Sequence, residues 1–282
     1  MIKIVSAVKN LRYFILAEKY VASQEQIYCS LMERIQKKDS SVYVIVNRNF
    51  ISCEILGVVS FTKGRSLTAC INDYSDEVVE VLKAFLADRN VFSIIGEAKG
   101  VEQLEKIILE TKGLKCDESR QMYLMKFNAE KENQLAGKEN PVINKCKRTD
   151  EEELFPLQCA YSRQEVLPSW QEQNLALERF NFAMTLKNHY IFAVMENDKI
   201  VSKVQSNAIT RKFIQIGGVF TKEECRGKSY ASFLVNYAAK FALNQNKQCV
   251  LFVRTANESA LHAYKKAGFE IVDDYKMVYY KA

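Results

Sequence analysis

The fold is decided by residues 213–231, which read FIQIGGVFTKEECRGKSYA. An apolar run of strand length comes first, and a charged segment follows it. From Ser229 onward apolar residues recur every three or four positions, which is typical of a helix. A second apolar run, Cys249–Val253, has the length of a buried strand. We therefore predict a strand, a helix and a second strand, with the two strands parallel and the crossover right-handed.

The junction between the first strand and the helix suits an anion. N–H groups in the first turn of a helix have no intrahelical partner, and the helix dipole is positive there. The turn Arg226–Ala231 could therefore hold a phosphate or pyrophosphate, with Gly227 allowing close approach and Lys228 adding charge. A solvated basic helix start is equally consistent with these six residues. A Walker A loop is excluded, because that motif needs a glycine where Lys222 stands.

A later segment, residues 257–269, selects between these two interpretations. Asn257 is a good N-cap and Gly268 a good stop, and they bracket a short helix that carries Tyr264. The pattern Asn257-x-x-Ala260-x-x-x-Tyr264-x-x-x-Gly268-Phe269, together with the turn Arg226–Ala231, resembles the GNAT superfamily of N-acetyltransferases. In the turn, Arg226 and Ala231 match the family signature. Ser229 stands in place of its central glycine.

The resemblance implies an acetyl-CoA-dependent enzyme that acetylates a primary amine of a small molecule or peptide by direct attack in a ternary complex. Tyr264 would donate the proton to the leaving thiolate. The cofactor would be bound by the strand end, the turn and the later helix, namely by Val219, Phe220, Thr221, Arg226, Gly227, Lys228, Ser229, Tyr230, Ala231, Asn257 and Ala260. The acceptor amine would enter near Tyr161, Trp170 and Glu196, although Trp170 is equally suited to packing between domains.

The general base stays open at this stage. Some family members have a glutamate six residues before Val219, where this chain has Phe213. A water chain or Glu196 are the alternatives, whereas His189 and His262 are interpreted as surface residues. A non-catalytic acyl-CoA-binding regulator is the alternative function, favoured by Ser229 and by the absent glutamate.

The segment before residue 130 predicts a second α/β unit. Residues 1–38 have helical spacing, and the order that follows is strand, strand, helix, strand, helix, strand, as in the second half. Residues 71–76, INDYSD, replace the phosphate turn with a segment that has no glycine and two carboxylates. We predict a fold of α/β (α+β) class with a mixed central sheet flanked by helices. Its parts are an N-terminal domain at 1–130, GNAT-like without a cofactor loop or else unrelated, a linker at 131–141, and a GNAT domain at 142–282.

Composition limits the partners. The net charge is +6, but no basic run marks a nucleic-acid footprint. No apolar run is long enough to cross a bilayer, and Lys9 and Arg12 interrupt what would be a signal-peptide core, so we expect a cytoplasmic protein. The eight cysteines include no Cys-x-x-Cys pair, which favours reduced thiols and no metal site. A homodimer and a monomer are both consistent with the sequence.

Overall fold

The computed structural model describes residues 1–48, 53–131 and 140–281, which form two compact units. Unit 1 comprises Met1–Met122 and Asp273–Ala282, and unit 2 comprises Tyr123–Val272. Each unit contains a mixed sheet with helices packed on it. The predicted α/β fold class is confirmed.

Unit 1 alternates helices and strands in the order of the second half. Its elements are β1 (Ile2–Ser6), α1 (Arg12–Val21), α2 (Cys29–Gln36), β2 (Val42–Arg48), β3 (Cys53–Phe61), β4 (Ser66–Ile71), α3 (Asp76–Ala87), β5 (Ser93–Glu97), α4 (Ala98–Lys112) and the start of β6 (Glu118–Phe127). Strands β1 to β4 are antiparallel neighbours, whereas β4 and β5 are parallel. Helices α3 and α4 supply buried Leu82, Leu86 and Leu104 to the core.

The helical interpretation of residues 1–38 is wrong at its beginning. Residues 2–6 form β1, which pairs antiparallel with β2 from Ile2 opposite Asn47 to Ser6 opposite Tyr43. Ile2 and Ile4 lie on the same face of this strand, and both pack against the core of unit 1. Burial of one face of a strand by tertiary contacts therefore outweighs the helical spacing that begins farther along.

Unit 2 repeats the same order of elements. They are the end of β6, then β7 (Ile143–Lys145), α5 (Glu151–Tyr161), α6 (Leu175–Asn188), β8 (Ile191–Glu196), β9 (Lys199–Ile209), β10 (Phe213–Thr221), α7 (Tyr230–Leu243), β11 (Gln248–Arg254), α8 (Glu258–Lys266) and the start of β12 (Phe269–Tyr279). The sheet order is β6, β11, β10, β9, β8, β7. The β8–β9 hairpin turns at Asn197 and Asp198, both with positive φ, which is the conformation that two-residue hairpin loops require.

Strand β12 passes from unit 2 into unit 1. Its residues 275–279 pair antiparallel with β5, from Tyr275 opposite Glu97 to Tyr279 opposite Ser93. The compact units therefore assign residues 273–282 to the first unit, whereas the sequence assigns them to the second domain. The predicted linker lies mostly outside the described residues and stays a prediction.

Candidate active site

The two parallel strands at the centre of unit 2 part from each other. Strands β10 and β11 pair from Phe213 opposite Gln248 to Ile216 opposite Leu251. Beyond that point β10 bulges. Gly217 pairs with Gln205 of β9 and Phe220 pairs with Lys203, so two residues of β10, Gly218 and Val219, lie opposite one residue of β9. Gly218 has φ +59°, and a Cβ on it would lie 2.5 Å from the Gln205 side chain. The glycine is therefore required by both the backbone and the space around it.

The turn Arg226–Ala231 lies at the start of α7, as predicted. Gly227 has φ +83°, and a Cβ built on it would meet no atom within 4 Å. The concave face of this glycine is thus open, which suits a ligand that must approach the backbone closely. Ser229 has φ +65° and accepts a hydrogen bond at Oγ from Lys266 Nζ at 3.2 Å. The serine therefore adopts the left-handed conformation that a glycine would provide.

Arg226 closes the end of the strand onto the turn. Its Nε donates to the carbonyl of Thr221 at 3.3 Å, and its guanidinium carbon lies 5.9 Å from the centre of the Phe220 ring. Val219 is half-buried and packs against the core of unit 2. These contacts place the predicted strand residues next to the turn.

Glu196 lies beside the turn and is bound to it. Its carboxylate accepts from Lys228 Nζ at 2.7 and 3.0 Å and from the Tyr230 hydroxyl. The Lys228 hydrogen bond is the main reason that the pKa of Glu196 is lowered and the pKa of Lys228 is raised. The carboxylate therefore offsets positive charge at the turn, and these contacts favour that role over the general-base role considered from sequence.

Tyr264 is buried on α8. Its side chain belongs to the core cluster of unit 2, and burial raises the pKa of its phenol, with Tyr161 and Glu165 adding to the shift. Asn257 caps this helix by accepting the Ala260 N–H at 3.0 Å. The phenol therefore stays protonated near neutral pH, which a proton donor requires.

A π-helical turn at Ser162–Val166 contacts both predicted motifs. Gln164 accepts at Oε1 from Arg226 Nη2 at 3.5 Å, and its carbonyl accepts from Arg254 Nη1 at 3.3 Å. Glu165 accepts from Asn257 Nδ2 at 3.1 Å and lies 3.7 Å from Arg254 Nη1. A π turn has no recognised local signature, so the sequence alone does not predict it.

Lys203 on β9 lies close to the candidate site, but the sequence analysis did not identify it as a functional residue. Its ammonium is fully buried and donates to Gln158 Oε1, Gln205 Oε1 and the Gly218 carbonyl at 2.9, 3.1 and 2.9 Å. Burial lowers the pKa of Lys203 to about 7, and the carboxylate of Glu178 opposes this shift. A lysine between Ser202 and Val204 in a central strand is the signal that could have identified it.

The remaining predicted residues lie around this cluster or at the surface. The Tyr161 ring centre is 5.2 Å from Lys203 Nζ. Trp170 is half-buried in a turn closed by the Gln171 N–H and the Pro168 carbonyl. His189 is half-buried, with Nδ1 3.3 Å from Ser206 Oγ, whereas His262 is exposed.

The described residues offer neither a metal cluster nor a membrane-spanning helix. Within residues 1–48, 53–131 and 140–281, no group of three or more His, Cys, Asp or Glu side chains is arranged to hold a metal ion. In the same ranges, every helix is too short or too polar to span a membrane. The eight cysteines are present as thiols.

Parallel strands that part beside the N-terminus of a helix are suited to binding a phosphate-bearing ligand. Residues 152–269 match the model of the acetyltransferase (GNAT) family. The predicted resemblance of the C-terminal half to this family is therefore confirmed over these residues. No match was found among curated proteins.

Solved structures show the same fold over the length of the chain. A tandem GNAT protein from the clavulanic acid biosynthesis pathway is 9% identical with a TM-score of 0.60, covering 99% of this chain and 97% of its own. A GNAT acetyltransferase from Colwellia psychrerythraea is 10% identical with a TM-score of 0.58, covering 100% of both chains. A GNAT protein from Sphaerobacter thermophilus is 13% identical with a TM-score of 0.57, covering 99% of this chain and 94% of its own. At these identities the likeness shows the fold alone.

Proposed function

We propose that the protein is an acetyl-CoA-dependent N-acetyltransferase acting on a primary amine of a small molecule or peptide. The observation that carries this proposal is the parting of β10 and β11 beside the open turn at Gly227, with Tyr264 on the helix that follows β11. The parted strands leave backbone groups of β10 unpaired with β11, as insertion of an extended pantetheine arm requires.

The residues present fit this cofactor. The first-turn N–H groups of α7 and the open face of Gly227 would hold the pyrophosphate, with Arg226 and Lys228 adding positive charge. The N–H of Val219, within the bulge, would donate to the thioester carbonyl. Acetyl-CoA supplies the activated acetyl group. Tyr264 would protonate the departing thiolate after direct attack by the neutral amine in a ternary complex.

Unit 1 is proposed to act without this cofactor. Strands β4 and β5 also pair only briefly, from Ser66 to Leu67. The Tyr74 hydroxyl beyond β4 donates to the Gly100 carbonyl at 3.3 Å, and Asp76 and Glu77 lie in the first turn of α3. Carboxylates at this helix start would repel a pyrophosphate.

A cytoplasmic location likewise stays a proposal.

Titration calorimetry with acetyl-CoA and release of free CoA thiol across a panel of amines test the proposal. Binding together with amine-dependent thiol release supports the enzyme. Binding without turnover by any amine would favour the acyl-CoA-binding regulator, an alternative motivated by Ser229 in the turn. A folded protein that binds no acetyl-CoA at millimolar concentration would end both ideas.

A further inference from the structure

The buried ammonium of Lys203 has its hydrogen-bonding capacity filled. Its three N–H groups meet three acceptors, Gln158 Oε1, Gln205 Oε1 and the carbonyl oxygen of Gly218. The ring centre of Phe182, a residue of α6, lies 5.9 Å from Lys203 Nζ. Burying an ammonium is costly unless every donor is satisfied, and this set of acceptors suits the protonated form.

The Gly218 carbonyl is the acceptor that bears on the reaction. A trans peptide is planar, and its C=O and N–H point in opposite directions. The carbonyl of Gly218 and the N–H of Val219 belong to one peptide, and the structure contains no cis peptide bond among the described residues. A hydrogen bond that holds this carbonyl toward Lys203 therefore directs the Val219 N–H away from Lys203.

We propose that Lys203 is a positioning residue for acyl transfer, which holds the Gly218–Val219 peptide so that the Val219 N–H presents itself to the thioester carbonyl. The inference rests on the proposed function. Without the lysine, the bulge would still form, because Gly218 and the register with β9 remain, but the peptide would lose the hydrogen bond that Lys203 donates to its carbonyl.

A second layer of hydrogen bonds holds the lysine in place. Gln158 on α5 donates at Nε2 to Glu178 Oε1 at 2.8 Å, and Ser162 Oγ donates to Glu178 Oε2 at 3.0 Å. The ionisable groups around Lys203 are Glu178 from α6, Cys146 before α5 and Tyr161 from α5, whose ring centre is 5.2 Å from Nζ. Glu178 and Cys146 raise the pKa of Lys203 against the effect of burial. The peptide is thus connected through Lys203 to both helices of the expected acceptor side.

The discriminating variant is Lys203→Met, which keeps the length of the side chain and removes the donor. The matched control is Lys247→Met, since Lys247 Nζ also donates to backbone carbonyls, those of Thr210 and Arg211, at the other end of the sheet. We expect kcat of Lys203→Met to fall by about tenfold or more, as when an oxyanion donor is misplaced. The Kd for CoA, which has no thioester carbonyl, should stay within about twofold, and the control should resemble the wild type.

Difference infrared spectroscopy with carbonyl-labelled acetyl-CoA supplies a readout that a merely structural role would not move. Hydrogen bonding lowers the stretching frequency of a carbonyl, so the band of the bound thioester should shift upward in Lys203→Met. Should that variant fail to fold, the same band is followed in Lys203→Gln, whose shorter side chain keeps a polar group in the site but withdraws the donor from the Gly218 carbonyl. An unmoved band, or equal losses of CoA and acetyl-CoA affinity, would overturn the inference. A wild-type protein that neither binds nor turns over acetyl-CoA would overturn the proposed function and this inference with it.

Discussion

The side chain of Tyr264 is buried and lies near the turn Ser162–Val166, so removal of its hydroxyl should affect proton donation more than packing. Tyr264→Phe deletes one hydroxyl and keeps the ring in the core of unit 2. We expect kcat to fall by about a hundred- to ten-thousand-fold, while the Kd for acetyl-CoA hardly changes. Steady-state kinetics and calorimetry on the same preparation measure both. Weaker binding with unchanged turnover would make Tyr264 a wall of the pocket and not an acid.

Substitution of Gly227 should have the opposite effect, with a larger loss of acetyl-CoA affinity than of turnover. Gly227→Val places a branched side chain in the open space at φ +83°, where it meets both backbone strain and the expected pyrophosphate. We expect acetyl-CoA affinity to drop by about tenfold or more, with turnover at saturation affected less. Gly113→Val is the control, because Gly113 also has positive φ and an open face but lies after α4. An equal loss of acetyl-CoA affinity in both variants would mean that strain alone is responsible.

Lys203 also makes stability depend on pH. Its pKa is lowered from 10.5 to about 7 on folding, so between these values the unfolded chain binds more protons at this site. The free energy of unfolding should therefore gain a contribution that rises with pH across this window and is complete above the unfolded pKa. Urea unfolding of wild type and Lys203→Met at several pH values checks it. Parallel pH profiles for the two proteins would show that the lysine does not titrate in this range.

At the scale of elements, the π turn Ser162–Val166 engages Arg226 and Asn257, which are expected to bind the cofactor. Glu165→Gln removes the charge from this contact and reduces repulsion of an anionic ligand. We expect acetyl-CoA to bind about two- to tenfold more tightly at low salt, and the gain over the wild type to shrink at high salt, where the repulsion from Glu165 is screened.

The control for that change is Glu172→Gln, which neutralises an exposed carboxylate between α5 and α6. Titration calorimetry at low and high salt compares the variants. If Glu165→Gln weakened acetyl-CoA binding, the carboxylate would belong to the binding-competent arrangement and would not compete with the cofactor.

Elements with strong local signals were predictable from the sequence. Strand β11 follows from the apolar run Cys249–Val253, and α8 follows from its Asn257 cap. The turn at Gly227 could be placed because its chemistry is local to six residues. Lys203 and the turn Ser162–Val166 could not be assigned, because their partners lie on other elements, such as Gly218 for the lysine and Arg254 for the turn.

At the scale of the whole molecule, the sequence pattern places the last strand in the second domain, whereas its residues 273–279 belong to the first compact unit. Residues 275–279 are apolar enough for either sheet, and the choice of β5 as partner depends on packing that periodicity does not encode. The likeness of the complete chain to tandem GNAT structures supports the prediction of two similar halves at the level of the fold.

Removing residues 273–282 should harm unit 1 selectively. Tyr275, Val278, Tyr279 and Tyr280 are buried, and their loss also leaves β5 without its antiparallel partner. We expect hydrogen exchange at residues 93–97 to accelerate by orders of magnitude, while acetyl-CoA binding by unit 2 persists. A chain ending at Tyr280 keeps the buried residues and is the control. Unchanged exchange along β5 would show that unit 1 is stable without β12.

The route of β12 also has a consequence for synthesis. Domains commonly fold in the order in which the ribosome makes them. Here residues 273–279 are made after the whole of unit 2. Strand β5 of the nascent first unit therefore lacks its β12 partner, and remains a strand edge, until unit 2 has been translated. The second unit can therefore close before the first, and a chaperone that shields strand edges would matter most while residues 123–272 are being translated.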